Sequence, residues 1–222
     1  MSCSALKDAQ VAWATRKRIQ LDDAGYVRTL RQNLFRPLSD ASARDFGRGS
    51  GGELKGLSRR RPKLHAVHSS AALACNAFDY WRLHGVGFIE MAMKLPAPIH
   101  EMRFEAQFPT GLDGEPPNLD LALELRNGAT WGIESKFTEP FCSPKDPRKA
   151  LKDKYFTRDA SLWSERGLTR CGQLALDIRA GGERFRRLDV AQLLKHILGL
   201  HTCRRTYALV YLWMDDDSEH GT

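Results

Sequence analysis

Three consecutive segments in the middle of the chain alternate between apolar and polar residues. In residues 101–108 the even positions are apolar, and in residues 118–125 every odd position is leucine. In residues 130–137 the apolar Trp131, Ile133 and Phe137 share the odd positions with Ser135, and Thr, Gly, Glu and Lys occupy the even positions. A half-buried β-strand requires this period of two. The pattern therefore predicts three adjacent strands.

The link between the second and third predicted strands contains Asn127-Gly128, a strong signal for a two-residue hairpin turn. Such a turn would place Asp120 and Glu134 on opposite faces and would pair the leucines with the polar set. A one-residue slip moves every side chain to the other face, so burial of the leucines selects a three-residue or bulged loop instead. Asp120 then opposes Glu134 or Lys136.

Helical patterns lie on both sides of these strands. Ser69 or Ser70 is a suitable cap for a helix that runs to about His84, and Asp189 is suitable for a later helix. The segment 86–95 fits either a helix or a strand. Pro96 and Pro98 follow it, and proline disfavours helix continuation.

The first 64 residues differ in composition from the rest of the chain. Residues 8–35 read as helical, whereas glycine, serine and arginine alternate through residues 37–62. That composition predicts a flexible basic connector without a packed element, which would either follow a phosphate backbone or act as a solvated tether. Residues 1–64 are thus predicted to be a basic N-terminal helical extension and connector ahead of a domain at 65–222.

Residues 206–214 form a nearly unbroken apolar run, preceded by a helical pattern at 159–180 and by the helix after Asp189. Such a run is typical of an internal strand covered on both faces. A helix, three antiparallel strands, a helix and a buried strand together predict an α/β sandwich with a mixed sheet.

The net charge of +7 is unevenly distributed. Residues 1–64 hold 14 lysines and arginines against 6 acidic residues, residues 65–135 hold 4 against 9, and residues 136–210 hold 16 against 8. Basic flanks would attract a polyanion, and an acidic middle would attract a divalent cation. The alternative is that the two basic regions are solvated surfaces that bind no partner. No run of about 18 apolar residues occurs, so we expect no membrane span.

The cysteines are odd in number, scattered and without a CxxC pair, so we expect neither a zinc ribbon nor a disulfide framework. This usage favours a reducing, cytoplasmic setting. The positions are Cys3, Cys75, Cys142, Cys171 and Cys203.

Two carboxylates and one ammonium group on neighbouring strands suit phosphodiester hydrolysis. Mg²⁺ needs only one or two protein carboxylates, because water and phosphate oxygens complete its octahedron. Asp120 and Glu134 meet that requirement, and the backbone carbonyl of Ser135 is a further candidate ligand. Lys136 shares a strand face with Glu134 and would stabilise developing phosphate charge. The alternative is an ordinary cross-strand ion pair on a solvated sheet.

The combination of Asp120 with Glu134-Ser135-Lys136 resembles the PD-(D/E)XK nuclease superfamily, which has the restriction-endonuclease-like fold. The order of helix, three strands, helix and strand matches the common core of that superfamily. The stretches HSSAALACNAF, PPNLD and IESKFTEP resemble a bacterial subgroup of restriction-endonuclease-like proteins. The resemblance covers roughly residues 65–214.

The resemblance implies a three-layer sandwich with an αβββαβ core and a central mixed sheet. It also implies an endonuclease that cleaves DNA, or less often RNA. The implied cofactor is Mg²⁺, for which Mn²⁺ can substitute, and a homodimer is compatible with the resemblance. Asp120 and Glu134 would be metal ligands and Lys136 the catalytic lysine. Many members add an earlier carboxylate, for which Glu105 is the candidate. A solvated strand residue near Arg103 is the alternative for Glu105.

Nucleic-acid contacts are expected from the later helix and from the loop before it. Gln192 and Lys195 lie on the polar side of that helix, although a capping box with Asp189 is the favoured alternative for Gln192. The proline-rich loop adds the basic residues Lys145, Arg148 and Lys149. For four histidines we expect structural or surface roles. These are His65, His68, His196 and His201.

Two other classes of function compete with a nuclease. One is a catalytically inactive nucleic-acid-binding module with the same fold. The other is an interaction protein whose acidic sheet face binds a basic partner. The presence of Asp120, Glu134 and Lys136 together favours the enzyme. A protein that has lost turnover usually loses its catalytic residues first.

Overall fold

The computed structural model describes residues 2–49, 52–56, 61–142, 146, 149, 151–156, 161–182, 185, 187–204 and 206–213. Four helices precede the strands of one sheet, and three more described helices connect its third strand to its fourth. The helices are α1 (Cys3–Arg16), α2 (Asp40–Arg48), α3 (Ser70–His84), α4 (Gly87–Ala92), α5 (Ser161–Ser164), α6 (Thr169–Ala180) and α7 (Val190–Cys203). The strands are β1 (Ile99–Gln107), β2 (Asn118–Leu125), β3 (Thr130–Lys136) and β4 (Tyr207–Trp213).

The strands form a mixed sheet in the order β1-β2-β3-β4. The first three are antiparallel neighbours, and β4 runs parallel to β3. Parallel neighbours need a crossover connection, which here contains α5, α6 and α7. The predicted α/β class and mixed sheet are confirmed. In the described part of the chain, no helix combines the length and apolar character needed to span a bilayer.

The register of β2 and β3 follows from burial of the leucines. Leu121 pairs with Ile133, and the strands are joined by a three-residue loop closed by a 2.8 Å hydrogen bond from Leu125 N to Ala129 O. Gly128 has φ of 81°, the left-handed conformation that a three-residue hairpin loop requires and that glycine adopts without strain. The predicted three-residue turn is confirmed.

The last strand differs from its prediction. Among the described strands β4 lies at an edge of the sheet, and Leu212 is 37% exposed. The prediction of an internal strand covered on both faces is therefore wrong. The apolar run has another cause, because successive residues point to opposite faces. Leu209 packs with the cluster around Leu200, and Val210 packs with the cluster below α3.

The N-terminal region is more ordered than its composition predicted. Helix α2 lies inside residues 37–62, and its Phe46 stacks on Phe104 of the sheet with ring centroids 5.5 Å apart. The prediction of no packed element there is wrong, because one buried aromatic residue anchors an otherwise polar segment. The helix predicted at 8–35 instead runs from Cys3 to Arg16. The division of the chain at residue 64 stays a prediction.

The cysteine prediction is also wrong in one respect. Cys3 of α1 and Cys142, which follows the short helical turn Glu139–Phe141, form a disulfide with Cα atoms 4.7 Å apart. Sequence spacing gave no sign of this pair, because 139 positions separate the two residues. The bond ties α1 to the segment that follows β3.

Helix α7 approaches the chain after β1 very closely at Gly199. A Cβ atom added there would lie 2.4 Å from the carbonyl oxygen of Phe108, which is backbone and cannot rotate away. We expect Gly199→Ala to lower the free energy of unfolding by about 3 kcal/mol, the cost of overpacking a tight contact. Urea denaturation monitored by fluorescence measures the change.

Gly47→Ala is the matched control for this substitution, because a Cβ atom there meets nothing within 4 Å. Gly47 lies in α2, where alanine is favoured over glycine by roughly 0.5–1 kcal/mol. We therefore expect Gly47→Ala to be neutral or stabilising. Equal losses for both variants would contradict the close approach of α7.

Candidate active site

A cleft of about 1560 Å³ brings together charged side chains that lie far apart in sequence. Three carboxylates in its wall come from the first three strands, and two lysines lie beside them. The carboxylates are Glu105, Asp120 and Glu134, and the lysines are Lys63 and Lys136. The three residues predicted for catalysis, Asp120, Glu134 and Lys136, thus line one cavity.

The Asp120 carboxylate is held in place by the neighbouring strand. The N–H of Ser135 donates a hydrogen bond of 2.7 Å to Asp120 Oδ2. This contact crosses from β3 to β2 just beyond the paired residues Leu121 and Ile133. The sequence predicted the Ser135 carbonyl as a ligand, which stays a prediction. The contact seen here is made by the N–H of the same residue.

Glu134 is almost fully buried and lies between two basic side chains. Lys136 Nζ is 2.5 Å from Glu134 Oε1, and His196 Nε2 is 3.1 Å from Glu134 Oε2 without the alignment of a hydrogen bond. Burial alone would raise the pKa of Glu134. The adjoining His196 and the positive charge of Lys136 outweigh burial and hold the pKa below its usual value.

Burial and neighbouring charges shift the pKa values of both Asp120 and Lys136. Burial, and then the negative charge of Glu134, raise the pKa of Asp120 well above its usual value. Burial would lower the pKa of Lys136, but the charges of Glu134 and Asp120 raise it instead. Lys136 is therefore an ammonium ion at neutral pH. The negative charges of Asp120 and Glu134 repel each other.

Glu105 extends the cluster from β1 and has an unusual backbone. The ladder pairs Phe104 with Leu121 and Ala106 with Leu119, so Glu105 lies across from Asp120. Its φ of 50° is left-handed, which strains any residue other than glycine and is often associated with functional sites. The carboxylate accepts a 2.7 Å hydrogen bond from Asn118 Nδ2.

The Glu105 side chain is buried, with only 8% exposure of the residue, so it is not the solvated strand residue of the alternative interpretation. Burial, and then the charge of Glu53, raise its pKa to about 7. Gly49 packs directly against this side chain, where an added Cβ atom would lie 2.9 Å from Glu105 Cβ. The N-terminal region thus closes over the carboxylate.

Three residues in this region were missed by sequence reasoning. Glu53 and Lys63 form a 2.6 Å ion pair in the cleft wall, but they come from the region read as a connector, where no pattern marks them. His196 was expected to have a structural or surface role, whereas it contacts Glu134. A signal existed for His196, because it lies four residues after Gln192 and shares its helix face.

The predicted nucleic-acid contacts divide into three groups. Gln192 and Lys195 line the cleft, although the Gln192 N–H also donates a 3.0 Å hydrogen bond to the capping Asp189 Oδ1. Burial lowers the pKa of Lys195. Lys149 is exposed and is not part of the cleft wall. Lys145 and Arg148 lie outside the described residues.

The carboxylates have the chemistry of a site for a divalent cation. Burial and like charges raise the pKa of both Asp120 and Glu105. A divalent cation would offset the like charges. Within the described residues no three side chains of the Asp, Glu, His and Cys types are already arranged around one point. Asp120 with Glu134 fits Mg²⁺, whose other ligands are water and phosphate.

The raised pKa of Glu105 predicts how stability depends on pH. Its pKa is about 7 in the folded state and 4.5 in the unfolded chain, so the penalty grows as pH rises from 4.5 through 7. In metal-free protein, Glu105→Gln should therefore be more stable than the unsubstituted chain above pH 7, by about 3 kcal/mol. Urea titrations at pH 5 and pH 8 measure the difference.

Glu101→Gln provides the control, because Glu101 lies on the same strand and its side chain is 53% exposed. We expect no comparable gain from that variant at pH 8. If Glu105→Gln gains no stability at pH 8 relative to pH 5, the buried charged state of Glu105 is wrong.

Similarity to a known protein family extends over almost the whole chain. The comparison with curated proteins gives no match, and neither does the comparison with solved structures. A family model described as "restriction endonuclease associating with ARP" matches residues 8–220. The match includes the N-terminal region as well as the sheet and the cleft. The chain therefore belongs to this restriction endonuclease family.

Proposed function

We propose that the protein is a Mg²⁺-dependent endonuclease that hydrolyses phosphodiester bonds of DNA, with a site of the PD-(D/E)XK type. One observation carries the proposal. Asp120, Glu134 and Lys136 come from two neighbouring strands and meet in one cleft, with Lys136 Nζ 2.5 Å from Glu134 and Asp120 fixed by the Ser135 N–H. Membership of a restriction endonuclease family supports a nuclease activity.

Each residue then has a distinct task. Asp120 and Glu134 hold the cation, and Glu105 is the candidate for a further ligand. When bound, Mg²⁺ polarises the phosphate and lowers the pKa of a bound water. Lys136 stays protonated and stabilises the charge that develops on the phosphate oxygens. The Ser135 N–H keeps Asp120 oriented, so less reorganisation is needed when substrate arrives.

A polyanionic substrate is supported by the basic residues of the cleft wall. Besides Lys63 and Lys136, they come from α1, from the segment before α5, from the segment leading into α7 and from α7 itself. These residues are Lys7, Lys152, Lys154, Arg187 and Lys195. Basic side chains that share a cleft with a catalytic cluster suit a phosphate backbone. DNA is therefore the proposed substrate, with RNA the less expected one.

The finer features of the fold and cell biology belong to the same proposal. The cluster that includes α2, α3 and α4 and the cluster that includes Leu200 of α7 support a three-layer αβββαβ sandwich. The homodimer, the cytoplasmic location and the substitution of Mn²⁺ for Mg²⁺ stay predictions.

Plasmid cleavage tests the proposal directly. Supercoiled DNA incubated with the protein and Mg²⁺ should be nicked or linearised, and EDTA should stop the reaction. DNA affinity is measured in parallel by fluorescence anisotropy in Ca²⁺ and in EDTA. DNA binding without cleavage in Mg²⁺ or Mn²⁺ would favour the inactive binding module. Neither binding nor cleavage would favour the interaction protein with an acidic face.

A further inference from the structure

We propose that His196 is the positioning residue of Glu134 and that it makes the site select Mg²⁺ over Ca²⁺, an inference that rests on the proposed function. His196 lies on α7 and is 2% exposed. It forms no part of the cleft wall, whereas Glu134 and Lys136 do. His196 therefore contacts the candidate ligand from the protein interior and does not meet substrate.

The two oxygens of Glu134 have different environments. Oε1 contacts Lys136, which faces the cleft, and Oε2 lies 3.1 Å from His196 Nε2. Oε2 is buried and makes no hydrogen bond, and the same is true of His196 Nε2. Their separation nevertheless lies within the range of a hydrogen bond. His196 is thus the polar neighbour of the carboxylate oxygen that faces the protein interior.

Packing alone does not explain a histidine at this position. On the same helix, Leu194 and Leu198 are buried in an apolar cluster. A buried imidazole nitrogen without a hydrogen bond is costly, and an apolar side chain would avoid that cost. The position of Nε2 beside Glu134 Oε2 gives the imidazole a role that leucine lacks.

The asymmetry of Glu134 restricts how the carboxylate can bind a cation. A cation in the cleft would reach Oε1, while Oε2 faces α7 and lies beside His196. Glu134 is then a one-oxygen ligand. Mg²⁺ requires a near-ideal octahedron, whereas Ca²⁺ takes six to eight oxygens and often binds both oxygens of a carboxylate. Restriction to one oxygen therefore favours Mg²⁺.

Calorimetric titration of metal-free protein with MgCl₂ and with CaCl₂, in the absence of DNA, tests the inference. For His196→Leu we expect Mg²⁺ affinity to fall about 10–100-fold, as is usual when the partner of a metal ligand is removed. The Ca²⁺ affinity should fall less, so the ratio of the two affinities decreases. His196→Gln carries an amide at a similar distance and should recover most of the Mg²⁺ affinity.

Leu198→Ala is the matched control, because Leu198 is fully buried on the same helix. It should lower the unfolding midpoint and leave both affinities unchanged. An unchanged ratio in His196→Leu, or an equal change in Leu198→Ala, overturns the role of His196 even if the unsubstituted protein binds Mg²⁺ and cleaves DNA. If the unsubstituted protein binds no divalent cation, the role of His196 and the proposed function both fall.

Discussion

Asp120→Asn should abolish Mg²⁺-dependent plasmid cleavage and at the same time stabilise the metal-free protein. An amide is a poor ligand for Mg²⁺, so the variant loses several kcal/mol of transition-state stabilisation, or roughly a thousandfold in rate. The asparagine oxygen can still accept the hydrogen bond from the Ser135 N–H, so the local backbone is retained. Initial rates of plasmid nicking measure the loss.

Asp120→Asn should stabilise the metal-free protein, although it abolishes cleavage, because the charged Asp120 carboxylate destabilises the fold. Burial and the neighbouring Glu134 raise the pKa of Asp120 above its value in the unfolded chain. The penalty is absent below the unfolded value and grows as pH rises through the folded value. At pH 8 the neutral asparagine therefore raises the free energy of unfolding.

Glu115→Gln serves as the control, because Glu115 is an exposed acidic residue of the same cleft. It removes the same charge without touching the cluster, and we expect cleavage within a few-fold of the unsubstituted rate. An active Asp120→Asn variant would contradict the site. An inactive and destabilised variant would show that activity was lost through unfolding.

The central part of the site could be predicted because one physical rule determines it. Strand alternation fixes which residues share a face, and burial of the leucines in β2 fixes the register against β3. The positions of Asp120, Glu134 and Lys136 then follow without knowledge of the rest of the fold. The hairpin confirms this reasoning, including the three-residue loop that contains Gly128.

The contacts around these residues could not be predicted, because they have no period in the sequence. The resemblance indicates Glu105 as a candidate ligand, but nothing in the sequence marks the left-handed backbone through which it reaches the cluster. Glu53 and Lys63 arrive through packing of the N-terminal region, and the Cys3–Cys142 bond joins segments 139 positions apart. Such long-range contacts are set by tertiary packing, which overrides local composition.

Lys136→Met should destabilise the metal-free protein and also abolish cleavage. Methionine has a similar length but no charge, so the buried Glu134 and the partly buried Asp120 are left without their counter-ion. Removal of one partner of a buried ion pair costs about 3–5 kcal/mol, and the 12% exposure of the Lys136 side chain places this pair in that class. Cleavage should fall roughly a thousandfold, because the charge that stabilises the transition state is gone. Urea denaturation and plasmid nicking measure the two effects.

Lys63→Met is the control for loss of a lysine from the same cleft. Lys63 pairs with Glu53, but its side chain is 65% exposed, so its removal should cost at most about 1 kcal/mol.

Mg²⁺ should restore part of the stability of Lys136→Met if the metal still binds. At one hundred times the dissociation constant, the added free energy of unfolding is about 2.7 kcal/mol.

The double variant Asp120→Asn/Lys136→Met distinguishes a charge effect from a packing effect. If Lys136 stabilises the fold by neutralising the carboxylates, then removal of one carboxylate lowers the need for the lysine. The double variant should therefore be more stable than Lys136→Met by a larger margin than Asp120→Asn gains over the unsubstituted chain. A coupling energy of about 1–3 kcal/mol is usual for residues in one charged network. Strict additivity would mean that Asp120 and Lys136 do not interact, and the convergence on which the nuclease site depends would be wrong.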